Sequence, residues 1–156
     1  MRFFAIPILA AILLAPPGAA DRNRSPSRPL DVGRSNPRFV WVDAYIDPHG
    51  AALAAYQFEL TARGADVTLV GVEGGEHPAF TQPPYYDPRA NVQNRIVIAA
   101  YSTGTDLPRS RTRVARVMLR VTGNVSPAYS TKLQVAASPE AKPIEAQIDI
   151  LEGAAQ

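Results

Sequence analysis

Three acidic side chains in the middle of the sequence are of a type that could do chemistry. Glu73 and Glu76 are separated by two glycines, and Asp87 follows in the same proline-rich region. Several carboxylate oxygens from one loop region are ligands that calcium prefers, and two facing carboxylates can cleave a glycosidic bond. The spacing matches neither a defined calcium loop nor a hydrolase motif. Structural calcium at these residues and a plain glycine turn therefore both stay open.

The residues that other kinds of catalysis require are scarce in this sequence. The sequence holds no cysteine and two histidines, so thiolate chemistry and disulfides are excluded. No serine lies in a Gly-x-Ser-x-Gly turn, and no glycine-rich phosphate loop precedes a helix. We therefore expect a protein that is not an enzyme and that requires no cofactor, apart from the structural calcium considered above.

Aromatic side chains are the second group of candidates. Trp41 alternates with the apolar residues of its segment, and Tyr85 and Tyr86 follow two prolines. Exposed rings can stack on sugar rings or anchor a protein interface, whereas covered rings belong to the core. We take Trp41, Tyr85 and Tyr86 as ligand-binding candidates if they are exposed.

A third candidate group lies on the outward side of one predicted strand. Between Thr112 and Thr122, small and branched apolar residues alternate with Arg116, Met118 and Arg120. A flat face of mixed apolar and charged residues suits protein binding, although the same residues could form an ordinary solvated surface.

The elements that must position these residues are strands. Apolar residues recur with period two in short segments bounded by glycine and proline turns, which is the pattern of an antiparallel sheet. The segment Ala51–Ala62 is rich in alanine and could be helical, but its apolar positions fit period two at least as well. Seven or eight such segments predict an all-β fold, an antiparallel two-sheet β-sandwich.

The first part of the sequence predicts export. Residues 1–20 combine a positive start, an apolar run and a close of small residues, which is typical of a cleaved signal peptide. Residues 21–37 are rich in arginine, proline and serine and read as a disordered basic linker. The apolar run is shorter than the roughly 20 residues that span a bilayer, so we expect no membrane span after cleavage. A net charge of +2 does not indicate the strongly basic surface that binds nucleic acid.

Several segments resemble one known family. Residues 53–60, with the run Leu-Ala-Ala-Tyr-Gln-Phe-Glu-Leu, and residues 67–73 are similar to the second and third strands of cohesin domains. Residues 95–101 and 112–119 look like that family's middle strands. The resemblance covers residues 38–151 and extends to the related cellulose-binding sandwich modules. It implies a nine-stranded, jelly-roll-like sandwich over residues 38–152 that binds a dockerin-like protein or a polysaccharide.

Two functions follow as expectations. The first is a secreted, non-catalytic module, periplasmic or extracellular, that mediates protein–protein binding or assembly. The second is a carbohydrate-binding module of polysaccharide catabolism, which requires Trp41 and the tyrosines to form one exposed, planar strip.

Overall fold

A computed structural model of the protein describes residues 37–87 and 94–154. These residues form eight β-strands and one turn of 3-10 helix, Pro78–Phe80. The strands are β1 (Arg38–Asp47), β2 (Ala55–Arg63), β3 (Asp66–Gly74), β4 (Tyr85–Tyr86), β5 (Arg95–Tyr101), β6 (Thr112–Thr122), β7 (Ala128–Ala137) and β8 (Gln147–Ala154).

The strands form two four-stranded antiparallel sheets, which confirms the predicted all-β sandwich. Sheet A has the order β3-β6-β1-β8, and sheet B has the order β4-β5-β2-β7. The first strand pairs with the last, the second with the seventh, the third with the sixth and the fourth with the fifth. This pairing is the one that an antiparallel ribbon makes when it is wound into a jelly roll.

The core lies between the sheets and follows the period-two pattern of the sequence. Val40, Val42, Ala44 and Ile46 of β1 are buried, as are the inward residues of β2 and β6. The alanine-rich segment is largely a strand, not a helix, because Tyr56, Phe58 and Leu60 must all face sheet A.

Some expectations differ from the structure or lie outside it. The resemblance implies nine strands, and the described residues form eight. The last strand, β8, begins at Gln147. Before the chain joins sheet A, the Ile144 backbone N–H donates a hydrogen bond to the Ala136 carbonyl of β7 (3.0 Å).

The predicted signal peptide and almost all of the predicted linker lie outside the described residues. Within residues 37–87 and 94–154, no helix is long and apolar enough to cross a membrane.

Candidate functional site

The acidic region before β4 is tied to the start of β6. The Glu76 carboxylate accepts a hydrogen bond from the Arg113 backbone N–H (3.0 Å), and the Glu76 backbone N–H donates to the Arg113 carbonyl (3.0 Å). A Cβ on Gly75 would collide with that same carbonyl, and one on Gly74 would collide with the backbone of Thr81. The two glycines therefore permit close packing of the turn, and Glu76 is a partner in that packing.

The three acidic candidates do not converge. Glu73 lies on β3 opposite Arg116 of β6, and Asp87 follows β4 in the other sheet. In the part of the chain that the structure describes, no three histidine, aspartate or glutamate side chains form a group that could hold a metal ion. The geometry thus offers no support for calcium at Glu73, Glu76 and Asp87.

The outer face of sheet A brings together residues from three strands. Trp41 of β1 is level with Met118 of β6 on one side and with Gly153 of β8 on the other. In the adjacent rows, Phe39 is level with Arg120, and Asp43 lies between Arg116 and Leu151. We call this surface the tryptophan face. It consists of Phe39, Trp41, Arg116, Met118, Arg120 and Leu151.

Trp41 lies over Gly153 on this face. A Cβ built on Gly153 would collide with the indole Nε1 and Cε2 atoms of Trp41, so the ring occupies the space above the glycine. The Arg116 guanidinium carbon lies 5.3 Å from the centre of the indole ring, within the range of a cation–π interaction. Phe39 and Leu151 beside the ring are 50% and 54% exposed. The ring is thus partly covered and flanked by exposed apolar groups.

Asp43 holds the arginine in place beneath this surface. Its two carboxylate oxygens accept hydrogen bonds from Arg116 Nε (2.7 Å) and Nη2 (2.8 Å), and Arg113 Nη1 lies 3.7 Å from the same carboxylate. This hydrogen bonding raises the pKa of Arg116 above its ordinary value. The bidentate pair fixes the plane of the guanidinium, so Arg116 is oriented before any partner arrives.

The other two aromatic candidates do not join Trp41. Tyr85 lies on the outer face of sheet B, opposite Ala99 of β5, and Tyr86 faces inward and packs against the core. Trp41 and the tyrosines therefore do not form one planar strip, because the two sheets turn their outer faces in opposite directions.

Sequence reasoning missed two groups of residues. The first group supports or extends the tryptophan face and consists of Asp43, Leu151 and Gly153. In the sequence, only their outward positions in the alternation of β1 and β8 could have indicated this role. On sheet B, sequence reasoning identified Tyr85 but missed Tyr101. The two residues are 71% and 78% exposed and border a groove of about 300 Å³. We call this groove the tyrosine trough. Its outward-facing residues are Ala55, Gln57, Tyr85, Ala99, Tyr101 and Val135.

No protein-family model, curated protein or solved structure matches this chain. The resemblance to cohesin domains consequently stays a prediction from the sequence. The two outer sheet faces are the observations on which a function can be proposed.

Proposed function

We propose that this chain is a non-catalytic binding module that holds another protein through the tryptophan face. The observation that carries the proposal is the arrangement around Trp41, in which one indole lies over a glycine, next to exposed Phe39 and Leu151 and a fixed Arg116. Tryptophan and arginine are the side chains most enriched at the energetic centres of protein interfaces.

The preorganisation of this face favours binding. An interface pays about 0.5–1.5 kcal/mol for each long side chain that it immobilises. Arg116 is already held by Asp43 through two hydrogen bonds, and the Trp41 ring already rests on the sheet. Both side chains are therefore already ordered in the free protein, and binding loses less of their conformational entropy.

The size of the face is also suitable. The whole outer face of sheet A, with four strands about 4.8 Å apart and about nine residues of about 3.3 Å each, has an area of roughly 600 Å². A standard protein interface covers about 800 Å² on each partner. The tryptophan face would form the centre of such an interface, and the rest of the outer face of sheet A would surround it.

Two further parts of the proposal rest on the sequence. The signal-like residues 1–20 support a site of action outside the cytoplasm, and the resemblance of residues 38–151 to cohesins supports a dockerin-like partner. Polysaccharide binding through a strip of Trp41 and the tyrosines loses its geometric basis, because those rings lie on different sheets or face the core.

The test uses the single tryptophan of the chain as a reporter. The immobilised protein is exposed to an extracytoplasmic fraction of its source, captured proteins are identified, and each purified candidate is titrated against the protein while Trp41 fluorescence is followed. We expect a true partner to shift the emission. We also expect Met118→Glu, which places a charge beside the ring, to weaken binding at least about tenfold.

The matched control is Val135→Glu. Val135 is an exposed apolar residue of β7 on the other sheet, so this variant should bind like the unmodified protein. Equal binding by all three proteins, with no change in Trp41 emission, would refute the proposed face.

A further inference from the structure

The tyrosine trough runs straight across sheet B. Val135 of β7, Gln57 of β2, Ala99 of β5 and Tyr85 of β4 are level with one another in the pairing register. Tyr101, two residues beyond Ala99, stands beside this row and is level with Ala55. Two exposed rings thus border a floor made largely of alanine, and the row spans about 14 Å between β7 and β4.

The trough continues past Tyr85. A second hollow of about 190 Å³ shares Tyr85, Ala99 and Tyr101 with the first and is bordered by the Pro83–Pro84 connection and Phe80. The two hollows therefore adjoin each other beside Tyr85 and Tyr101.

The lining is apolar and carries no charge. Among the described residues that line the 300 Å³ hollow, none is acidic or basic. Its outward polar groups are the hydroxyls of Tyr85 and Tyr101 and the amide of Gln57, whose Nε2 already donates to Gln134 Oε1 (2.6 Å). Tyr56 also borders the hollow, but its hydroxyl lies in the core and donates a hydrogen bond to the Val114 carbonyl (2.9 Å).

This shortage of hydrogen-bonding groups selects among neutral ligands. A sugar ring has several hydroxyl groups, and each one that is buried without a partner costs free energy. A proline-rich peptide needs fewer partners, because proline has no backbone N–H and presents apolar rings together with carbonyl oxygens. Two tyrosine hydroxyls can donate to those carbonyls while the rings pack against the pyrrolidines.

We propose that the tyrosine trough binds an extended, proline-rich peptide in the polyproline II conformation. This conformation rises about 3.1 Å per residue with three residues per turn, so about five residues cover the 14 Å of the row. Grooves lined by aromatic side chains are a general means of recognising such peptides, since the ligand is stiff and loses little conformational entropy.

An acidic side chain lies near the 3-10 turn that borders the second hollow. The Asp106 side chain is 83% exposed, and its Oδ1 lies 3.9 Å from His77 Nε2. His77 in turn caps the 3-10 turn whose residues Ala79 and Phe80 border the second hollow. The synthetic peptide used in the test therefore carries an arginine at one end.

The experiment titrates the purified protein into a dye-labelled synthetic peptide with prolines three positions apart and an arginine at one end. Fluorescence anisotropy reports binding, and the same peptide with alanine in place of proline is the ligand control. We expect the proline peptide alone to bind. Tyr101→Ala should weaken it at least about tenfold, because the variant removes one wall of the trough.

Two variants and one competitor complete the test. Val70→Ala removes an exposed apolar side chain from the other sheet and should leave peptide affinity unchanged. Tyr101→Phe keeps the ring and should lose only the part of the affinity that comes from the hydroxyl hydrogen bond. Equal binding of both peptides, binding unaffected by Tyr101→Ala, or no binding would overturn the proposal. Displacement of the peptide by a neutral oligosaccharide that binds more tightly would also overturn it, in favour of a sugar site. None of these outcomes bears on the tryptophan face.

Discussion

Tyr56 and Tyr129 both face the interior from sheet B, but their hydroxyl groups are in opposite situations. The Tyr56 hydroxyl donates to the Val114 carbonyl (2.9 Å) and so joins sheet B to sheet A through the core. The Tyr129 hydroxyl is buried and has no hydrogen-bond partner among the described residues. The same side chain therefore stabilises the sandwich at one position and carries an uncompensated desolvation cost at the other.

Replacing each tyrosine with phenylalanine should separate the two effects. Tyr56→Phe removes the cross-sheet bond and leaves a carbonyl unpaired in the core, which should lower the free energy of unfolding by about 1–3 kcal/mol. Tyr129→Phe removes only an unpaired hydroxyl and should leave stability unchanged or raise it by about 1 kcal/mol. Urea unfolding of the two variants measures the difference, and a larger loss for Tyr129→Phe would contradict this account.

Alkaline pH should weaken the fold through the same two residues. Burial raises the pKa of Tyr129 to about 12 and also raises the pKa of Tyr56, whereas an unfolded tyrosine has a pKa of about 10. The folded state thus binds more protons than the unfolded state above pH 10, so stability is complete below about pH 10 and falls as the pH rises toward 12.

Urea midpoints measured at increasing pH test this dependence. Tyr129→Phe carries one shifted group fewer, so its midpoint should fall less steeply than that of the unmodified protein. Parallel curves for the two proteins would show that Tyr129 does not contribute.

At the scale of elements, the neighbouring strands of sheet A are held by Asp43. It is 7% exposed and lies close to Arg113 and Arg116, both on β6. Asp43→Asn removes the negative charge between two partly buried guanidinium groups, and we expect a loss of about 2 kcal/mol or more. Asp149→Asn is the matched control, because the Asp149 pair with Arg111 is 3.6 Å long and exposed and should contribute less than about 1 kcal/mol. Thermal or urea unfolding compares the two variants, and equal losses would contradict the special role of Asp43.

The edge strand β8 should control the position of Trp41 through one glycine. Gly153→Ala places a methyl group where the indole lies, so the ring must move outward, with a red shift in its emission and weaker partner binding. Gly71→Ala is the matched control, because Gly71 is level with Met118 on the same sheet and has open space around its Cα. An unchanged emission spectrum in Gly153→Ala would show that the ring does not rest on this glycine.

At the scale of the whole molecule, stability must come from the core, since the sequence has no cysteine and thus no disulfide. Phe58 is fully buried and stacks on Tyr56 with ring centres 6.0 Å apart. Phe58→Ala should lower the free energy of unfolding by about 3–5 kcal/mol, a large part of the 5–15 kcal/mol typical of a domain. Phe39→Ala at the exposed surface should change it by less than about 0.5 kcal/mol. Urea unfolding of both variants checks the contrast.

The sequence by itself determined the class of fold and which residues of most strands face the core. Alternation of apolar and polar residues is a local signal, because successive side chains of a strand point to opposite faces. For that reason Arg116, Met118 and Arg120 could be assigned to one outward face of a strand, and Trp41 to the outward side of another, without any knowledge of which strands are neighbours.

Only the tertiary structure decided which of these faces meet. Asp43 and Arg116 are 73 residues apart in sequence, and their contact depends on β1 lying next to β6. Likewise, the pairing of β1 with β8 places Gly153 beneath Trp41, and the pairing of β4 with β5 sets Tyr85 beside Tyr101. The order of strands that are far apart in the sequence arises from the packing of the whole core, whereas the alternation of residues within one strand is a local signal.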